Sequence, residues 1–221
     1  AAVSTALQQQ FLPFYNGLKN GYYRNTNISR TGYNEEDLVD YNTLNAKMTA
    51  ALHWKITDKI EASWNTYFGT GTTVYTGANR YSLRNFKMAQ HKLEVKAKNW
   101  MLRGYTTQEN AGDSYIGDAV GSFLNEAYSP SATVWLPTYI ATFSETRRAL
   151  GQAGVPAAAQ KSDITIHNEL RASLDANRLI PGTAAFNAAA DKIKKTPVNQ
   201  AGGSKFLDKS DLWAAEGQLN F

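Results

Sequence analysis

Residues 44–68 read LNAKMTAALHWKITDKIEASWNTYF. From Leu44 the even positions are Leu44, Ala46, Met48, Ala50, Leu52, Trp54 and Ile56. The odd positions between them are Asn45, Lys47, Thr49, Ala51, His53 and Lys55. Only a strand, with its side-chain period of two, puts those two sets on opposite faces. Thr57-Asp58 then turns the chain. Ile60, Ala62, Trp64, Thr66 and Phe68 alternate against Glu61, Ser63, Asn65 and Tyr67. Ordinary strands run about 5–6 residues, whereas about 9–11 tilted residues cross a bilayer in a barrel wall. The reading is an all-β membrane fold: a segment of an antiparallel transmembrane β-barrel, about five long strands, with a large, partly helical extracellular insertion. A soluble β-rich binding or adhesion module, its apolar faces packed into a sandwich, is the alternative.

The same alternation returns downstream. A third strand is expected from near Phe86, with Ala89, His91, Leu93, Val95 and Ala97 facing one way and Gln90, Lys92, Glu94 and Lys96 the other. Met88 falls out of phase, as at a bulge or an interior-facing position. Lys98-Asn99 makes a second tight turn. Trp100, Leu102 and Gly104 then oppose Met101, Arg103 and Tyr105. Near the end, Trp213, Ala215, Gly217, Leu219 and Phe221 alternate against Leu212, Ala214, Glu216, Gln218 and Asn220 as a fifth strand. Trp54 and Trp100, each beside a tight turn, are expected at one height, as in an interfacial aromatic girdle. Lys47, Lys55, Glu61, Asn65, Arg103 and Glu216 are expected to line the lumen.

Between the hairpins and the last strand the composition changes. The expected organisation is 1–42 a loop or helix preceding the barrel, 43–107 two hairpins of wall, 108–205 the insertion and 206–221 the returning strand. In the first segment, Leu7, Phe11, Phe14, Tyr15 and Leu18 fall at roughly helical spacing broken at Pro13, and read as a short helix or an irregular loop. Glu35, Glu36, Asp37 and Asp40 lie in loop composition, and their spacing matches no calcium loop. Gly69-Thr70-Gly71-Thr72-Thr73 with Gly77-Ala78-Asn79 reads as a loop, without the lysine and following helix of a phosphate cradle. The alanine-rich insertion suggests helices over 138–150, over a stretch capped by Ser162-Asp163, and over 183–195. A connection of that length is usually functional.

The chain has 221 residues, net charge +4 and no cysteine, with mean hydropathy −0.45. No apolar run approaches the roughly 18 residues of a membrane helix, and an alternating barrel does not need one. The 23 basic and 19 acidic residues are interspersed, so no nucleic-acid partner is expected. No cofactor is expected either. No catalytic or metal-ligating set is assigned: His53, His91 and His167 fall on different faces or segments, and no nucleophile motif appears. The ligand-binding residues are left unassigned and the chain is expected not to be an enzyme. No leader-like segment opens it and alternation runs to the last residue, suggesting a piece of a longer polypeptide.

Four stretches carry a resemblance. They are Gly32-Tyr33-Asn34-Glu35-Glu36-Asp37-Leu38-Val39-Asp40-Tyr41-Asn42, Tyr67-Phe68-Gly69-Thr70-Gly71-Thr72-Thr73-Val74-Tyr75, Arg103-Gly104-Tyr105-Thr106-Thr107-Gln108-Glu109-Asn110-Ala111-Gly112-Asp113-Ser114-Tyr115 and Lys205-Phe206-Leu207-Asp208. They resemble the early barrel strands, following the plug, of Bacteroidetes TonB-dependent outer-membrane receptors, over about 32–115 and 203–221. The resemblance implies a barrel of about 22 strands filled by a plug, in the cell outer membrane, importing a large nutrient or chelate with energy delivered through TonB. The partners it implies are outer-membrane lipid, the remainder of the barrel and plug, the TonB system and a surface lipoprotein over the long loop.

Overall fold

The computed structural model describes residues 12, 15, 17, 19, 28–156 and 159–221. Of the short helix or irregular loop expected over 1–20, the described Leu12, Tyr15, Gly17 and Lys19 are helical; the remainder, Pro13 included, lies outside the described residues. The chain divides into two compact units, Asn34–Phe123 with Ala188–Phe221, and Ala1–Tyr33 with Leu124–Asn187.

The first unit is organised on a six-stranded sheet. β1 (Asn45–Thr57), β2 (Ile60–Thr76), β3 (Arg80–Ala97), β4 (Trp100–Asn110) and β6 (Lys209–Leu219) pair in that order, and short β5 (Tyr115–Ile116) pairs with β3. Every pairing is antiparallel. The sheet is open and does not close into a barrel: β1 and β6 are its edges. No helix among the described residues is long and apolar enough to cross a membrane, which says nothing of strands.

The strand lengths correct the sequence reading. β2 does not stop at Phe68 and β3 does not start at Phe86; both run on, so the expected glycine-threonine loop is strand up to Thr76. Thr70 lies between β1 and β3, and past the last β1 pair at Gly71 the β-branched and aromatic Thr73, Val74 and Tyr75 pair with β3 alone and suit its pleated surface. The bulge expected at Met88 is elsewhere. Met88 pairs in register with Gly69, and the register shifts where Thr72 faces Arg84-Asn85, with Asn85 at φ 53°. Asparagine tolerates that left-handed conformation better than most residues. Met88 simply shares the polar face with Lys47. A second shift falls between Lys55 and Thr57. There Thr57 Oγ1 accepts hydrogen bonds from the amides of Lys59 and Ile60, holding the tight turn.

Beyond the end of β4, a small core closes this unit. Ser82, Ser114 and Ser204 are fully buried beside Tyr115. Ser114 Oγ accepts from the Arg84 amide at 3.0 Å, the Tyr115 hydroxyl donates to the Leu38 carbonyl at 3.1 Å, and Ser204 Oγ donates to the Ile193 carbonyl at 3.2 Å. The acidic segment forms a four-residue helix, α1 (Glu35–Leu38), rather than a loop.

Helices make up most of the rest: α2 (Gly117–Tyr128), a π turn (Ser131–Trp135), α3 (Leu136–Gln152), α4 (Asp163–Leu174) and α5 (Ala184–Lys195). Three match the expected helices within two residues. α2 was not anticipated, because Gly117 and Gly121 lower helix propensity; a Cβ at Gly121 would stand 3.0 Å from Leu38, so packing requires what propensity disfavours. Ser162 caps α4 by accepting from the Thr165 amide. In the second unit Trp135, Tyr139, Phe143 and His167 stack as a buried aromatic ladder, with Phe143 and His167 centroids 4.3 Å apart. Buried Asp175 accepts from Trp135 Nε1 and from the Thr31 amide, both at 2.8 Å.

Candidate functional site

The two faces of the five-stranded part of the sheet are the candidate site, and register alone assigns side chains to them. Opposite residues on neighbouring strands share a face. One row reads Trp54, Ala62, Val95, Leu102, Gly217; the next Leu52, Trp64, Leu93, Gly104, Ala215; the next Ala50, Thr66, His91, Thr106, Trp213. The Met48 row continues through Phe68 and Ala89 to Gln108 and Asp211, and the far row holds Lys87, Asn110 and Lys209. This apolar face is open. Met48 is 62% exposed, Leu52 57%, Leu102 60% and Trp213 74%. A contiguous apolar face across five strands with side chains this exposed is the kind of patch that marks a protein or membrane interaction site.

The opposite face is polar. His53, Ser63, Glu94, Arg103 and Glu216 form one row, and Lys55, Glu61, Lys96, Met101 and Gln218 the next. Arg103 Nε donates to Glu94 at 2.8 Å while its Nη1 holds Glu216. Lys92 approaches Glu94 at 3.6 Å and Lys96 approaches Glu61 at 3.7 Å. Lys47, Lys55, Glu61, Asn65, Arg103 and Glu216, the expected lumen residues, all belong to this face. One correction concerns the tryptophans. Trp54 and Trp100 share the apolar face but not a row: Trp100 pairs with Leu219, one pleat row nearer the tight turns. Trp64 sits in the middle of the band and so belongs to no rim.

His53 and His91 stand on opposite faces, and His167 lies in the helical unit. His53 Nδ1 is 3.3 Å from Glu61, whereas His91 Nδ1 is 2.8 Å from Thr66 Oγ1 within the apolar face. Around His91 the side chains of Trp64, Leu93, Thr106 and Trp213, with Gly104 and Ala215, enclose a depression of about 560 Å³. Alternation could not reveal it, because it arises where Gly104 and Ala215 are small between bulky neighbours on adjoining strands. The acidic segment holds no free ligand set. Glu35 takes the Tyr41 hydroxyl and Arg80, Asp40 takes the Asn42 amide and Arg84, and these partners lower both carboxyls below their ordinary range. No group of three or more metal-ligating side chains occurs among the described residues.

Comparison of the chain with protein-family profiles, with curated proteins and with solved structures returns no match.

Proposed function

We propose that this chain forms part of the wall of an outer-membrane TonB-dependent importer of a large nutrient or chelate. The observation that carries this reading is the exposed apolar face, which spans β1 to β6 while the reverse face is laced with ion pairs. From Met48 to Ile56 that face occupies nine residues of β1, the length that crosses hydrocarbon at a barrel's tilt. The unpaired edges of β1 and β6 favour the same reading. Lipid offers no partner to an open backbone edge, so in a bilayer both edges must be paired, by further strands of the wall or, for the purified chain, by a second copy of it. Those strands, and a plug against the polar face, are the partners proposed. The role of the wall is structural, with transport energised through TonB by the plug and no reaction catalysed here. The β4–β6 connection, which carries α2 to α5, leaves from the end opposite the tight turns. By the usual asymmetry of barrels it is the extracellular connection, available to ligand or to a surface lipoprotein.

Extraction and flotation test the proposal. The purified chain should require detergent and float with phosphatidylcholine vesicles after detergent removal. A monodisperse species in detergent-free buffer that stays at the bottom of the gradient favours the soluble module instead.

A further inference from the structure

In the row of the apolar face that contains Ala50, Thr106 on β4 pairs with His91 on β3 to one side and with Trp213 on β6 to the other. Thr106 is buried between them, whereas Trp213, 74% exposed, protrudes more than any of the other tryptophans. One row nearer the tight turns, Gly104 and Ala215 leave the depression of about 560 Å³ that His91 lines. A protruding ring and an open hollow thus belong to one small patch.

Two polar groups of this patch lack a partner. His91 Nδ1 is engaged with Thr66 Oγ1 at 2.8 Å, while neither His91 Nε2 nor the indole nitrogen of Trp213 makes a hydrogen bond among the described residues. With Nδ1–H donating to Thr66, Nε2 is an acceptor; the indole N–H is a donor. Both groups stand one row from the Leu52 row at the middle of the band. A tryptophan at a membrane margin reaches headgroups and water, but hydrocarbon at this depth satisfies neither group.

Between two surfaces already in hydrocarbon no hydrophobic force acts. Association rests on close approach at small residues and on polar groups paired across the contact. Gly104 and Ala215 offer the first, His91 and Trp213 the second. A two-fold axis along the bilayer normal keeps two copies the same way up and sets one patch against itself. Placed over Thr106, it carries Trp213 of each copy onto the His91 column of the other. At roughly 40° of strand tilt those columns differ in height by about 6 Å, a gap that the long tryptophan side chain spans.

Resting on the membrane-wall reading, we infer that this face is a contact between two copies of the chain, in which each Trp213 enters the depression of the other copy and donates its indole N–H to His91 Nε2. The contact is reciprocal, so each copy loses both of its unpaired groups at once.

The chain has no cysteine, so single thiols report the contact in phosphatidylcholine vesicles. G104C, in the column of the axis where a Cβ meets open space, should cross-link to its counterpart through a short bismaleimide. A51C, on the reverse face of edge strand β1, reports the pairing of edges instead. In the G104C background, W213F keeps a ring and loses the N–H. It should weaken cross-linking roughly ninefold, the two reciprocal bonds each contributing about threefold in a membrane. W213F should cost nothing further once H91A has removed the acceptor, and W213A, which also empties the depression, should cost more than W213F. Absence of the G104C cross-link, whatever A51C does, overturns the contact, as does a cross-link that W213A leaves unchanged. Flotation of each variant separates this from the underlying reading. An unaltered chain that fails to float overturns the wall itself, and one that floats without the G104C cross-link overturns the pairing alone.

Discussion

At Gly112 two constraints coincide. Its φ of +63° lies where a side chain is strained, and a Cβ there would stand 2.4 Å from the Asn85 carbonyl oxygen. Gly154 has φ +65° but nothing within 4 Å. Gly112→Ala should therefore cost about 2–3 kcal/mol, conformational strain plus a clash at the bulge. Gly154→Ala should cost about 1 kcal/mol, from strain alone. Equal melting temperatures for the two variants would show that the Asn85 contact constrains nothing. His167 offers a pH handle. Burial against Phe143 and Tyr139 disfavours its charged form and lowers its pKa from 6.5. An unfolded His167 takes up a proton near pH 6.5 while the folded one resists. Stability is thus complete above pH 6.5 and is lost as pH falls below it. The lowered carboxyl of Glu126, held by Ser131 and Arg30, acts only below about 4.5 and is separable. Helical ellipticity should melt earlier at pH 5.5 than at pH 7.5, and His167→Gln should remove that difference even though the variant is less stable throughout.

Ser162 fixes the start of α4 by accepting from the Thr165 amide. Ser162→Ala should destabilise by about 1 kcal/mol and Ser162→Asp should restore the cap, with faster amide exchange confined to the first turn of α4 in the alanine variant. This helix was legible because its start is written in local chemistry, serine and aspartate before an apolar periodicity. The ends of β2 and β3 were not. Gly69, Gly71 and Gly77 read as loop, yet Gly71 pairs with Asn45 on one side and Phe86 on the other, and two flanking partners override weak propensity. Likewise α2 is set by what Gly121 permits Leu38 to approach, a contact between segments about eighty residues apart.

Across the sheet the two faces make opposite demands, and substitutions should separate them. Leu52→Lys or Leu93→Lys, both in the Trp64 row, puts a charge in the middle of the apolar band. Either should reduce vesicle insertion by roughly 2–4 kcal/mol if that band meets hydrocarbon. Asn65→Lys, on the reverse face, should leave insertion unchanged. Should the lysine variants instead remain equally inserted, the band is covered by protein. The alternation from Leu44 to Trp54 fixes, without any coordinates, which side chains share a face, since a strand leaves only two choices. The same pattern placed His53 and His91 on opposite sides and grouped Lys47, Lys55, Glu61, Asn65, Arg103 and Glu216 on one. Register across strands is another matter, because it depends on which residue pairs with which and on where bulges fall. Tertiary pairing alone decided that Trp54 and Trp100 stand one row apart, that Gly104 and Ala215 leave a depression beside His91, and that Lys87, Asn110 and Lys209 form a single row across β3, β4 and β6. Trp54 and Trp100 lie 46 positions apart, Gly104 and Ala215 111, and Lys87 and Lys209 122, beyond the reach of any local periodicity.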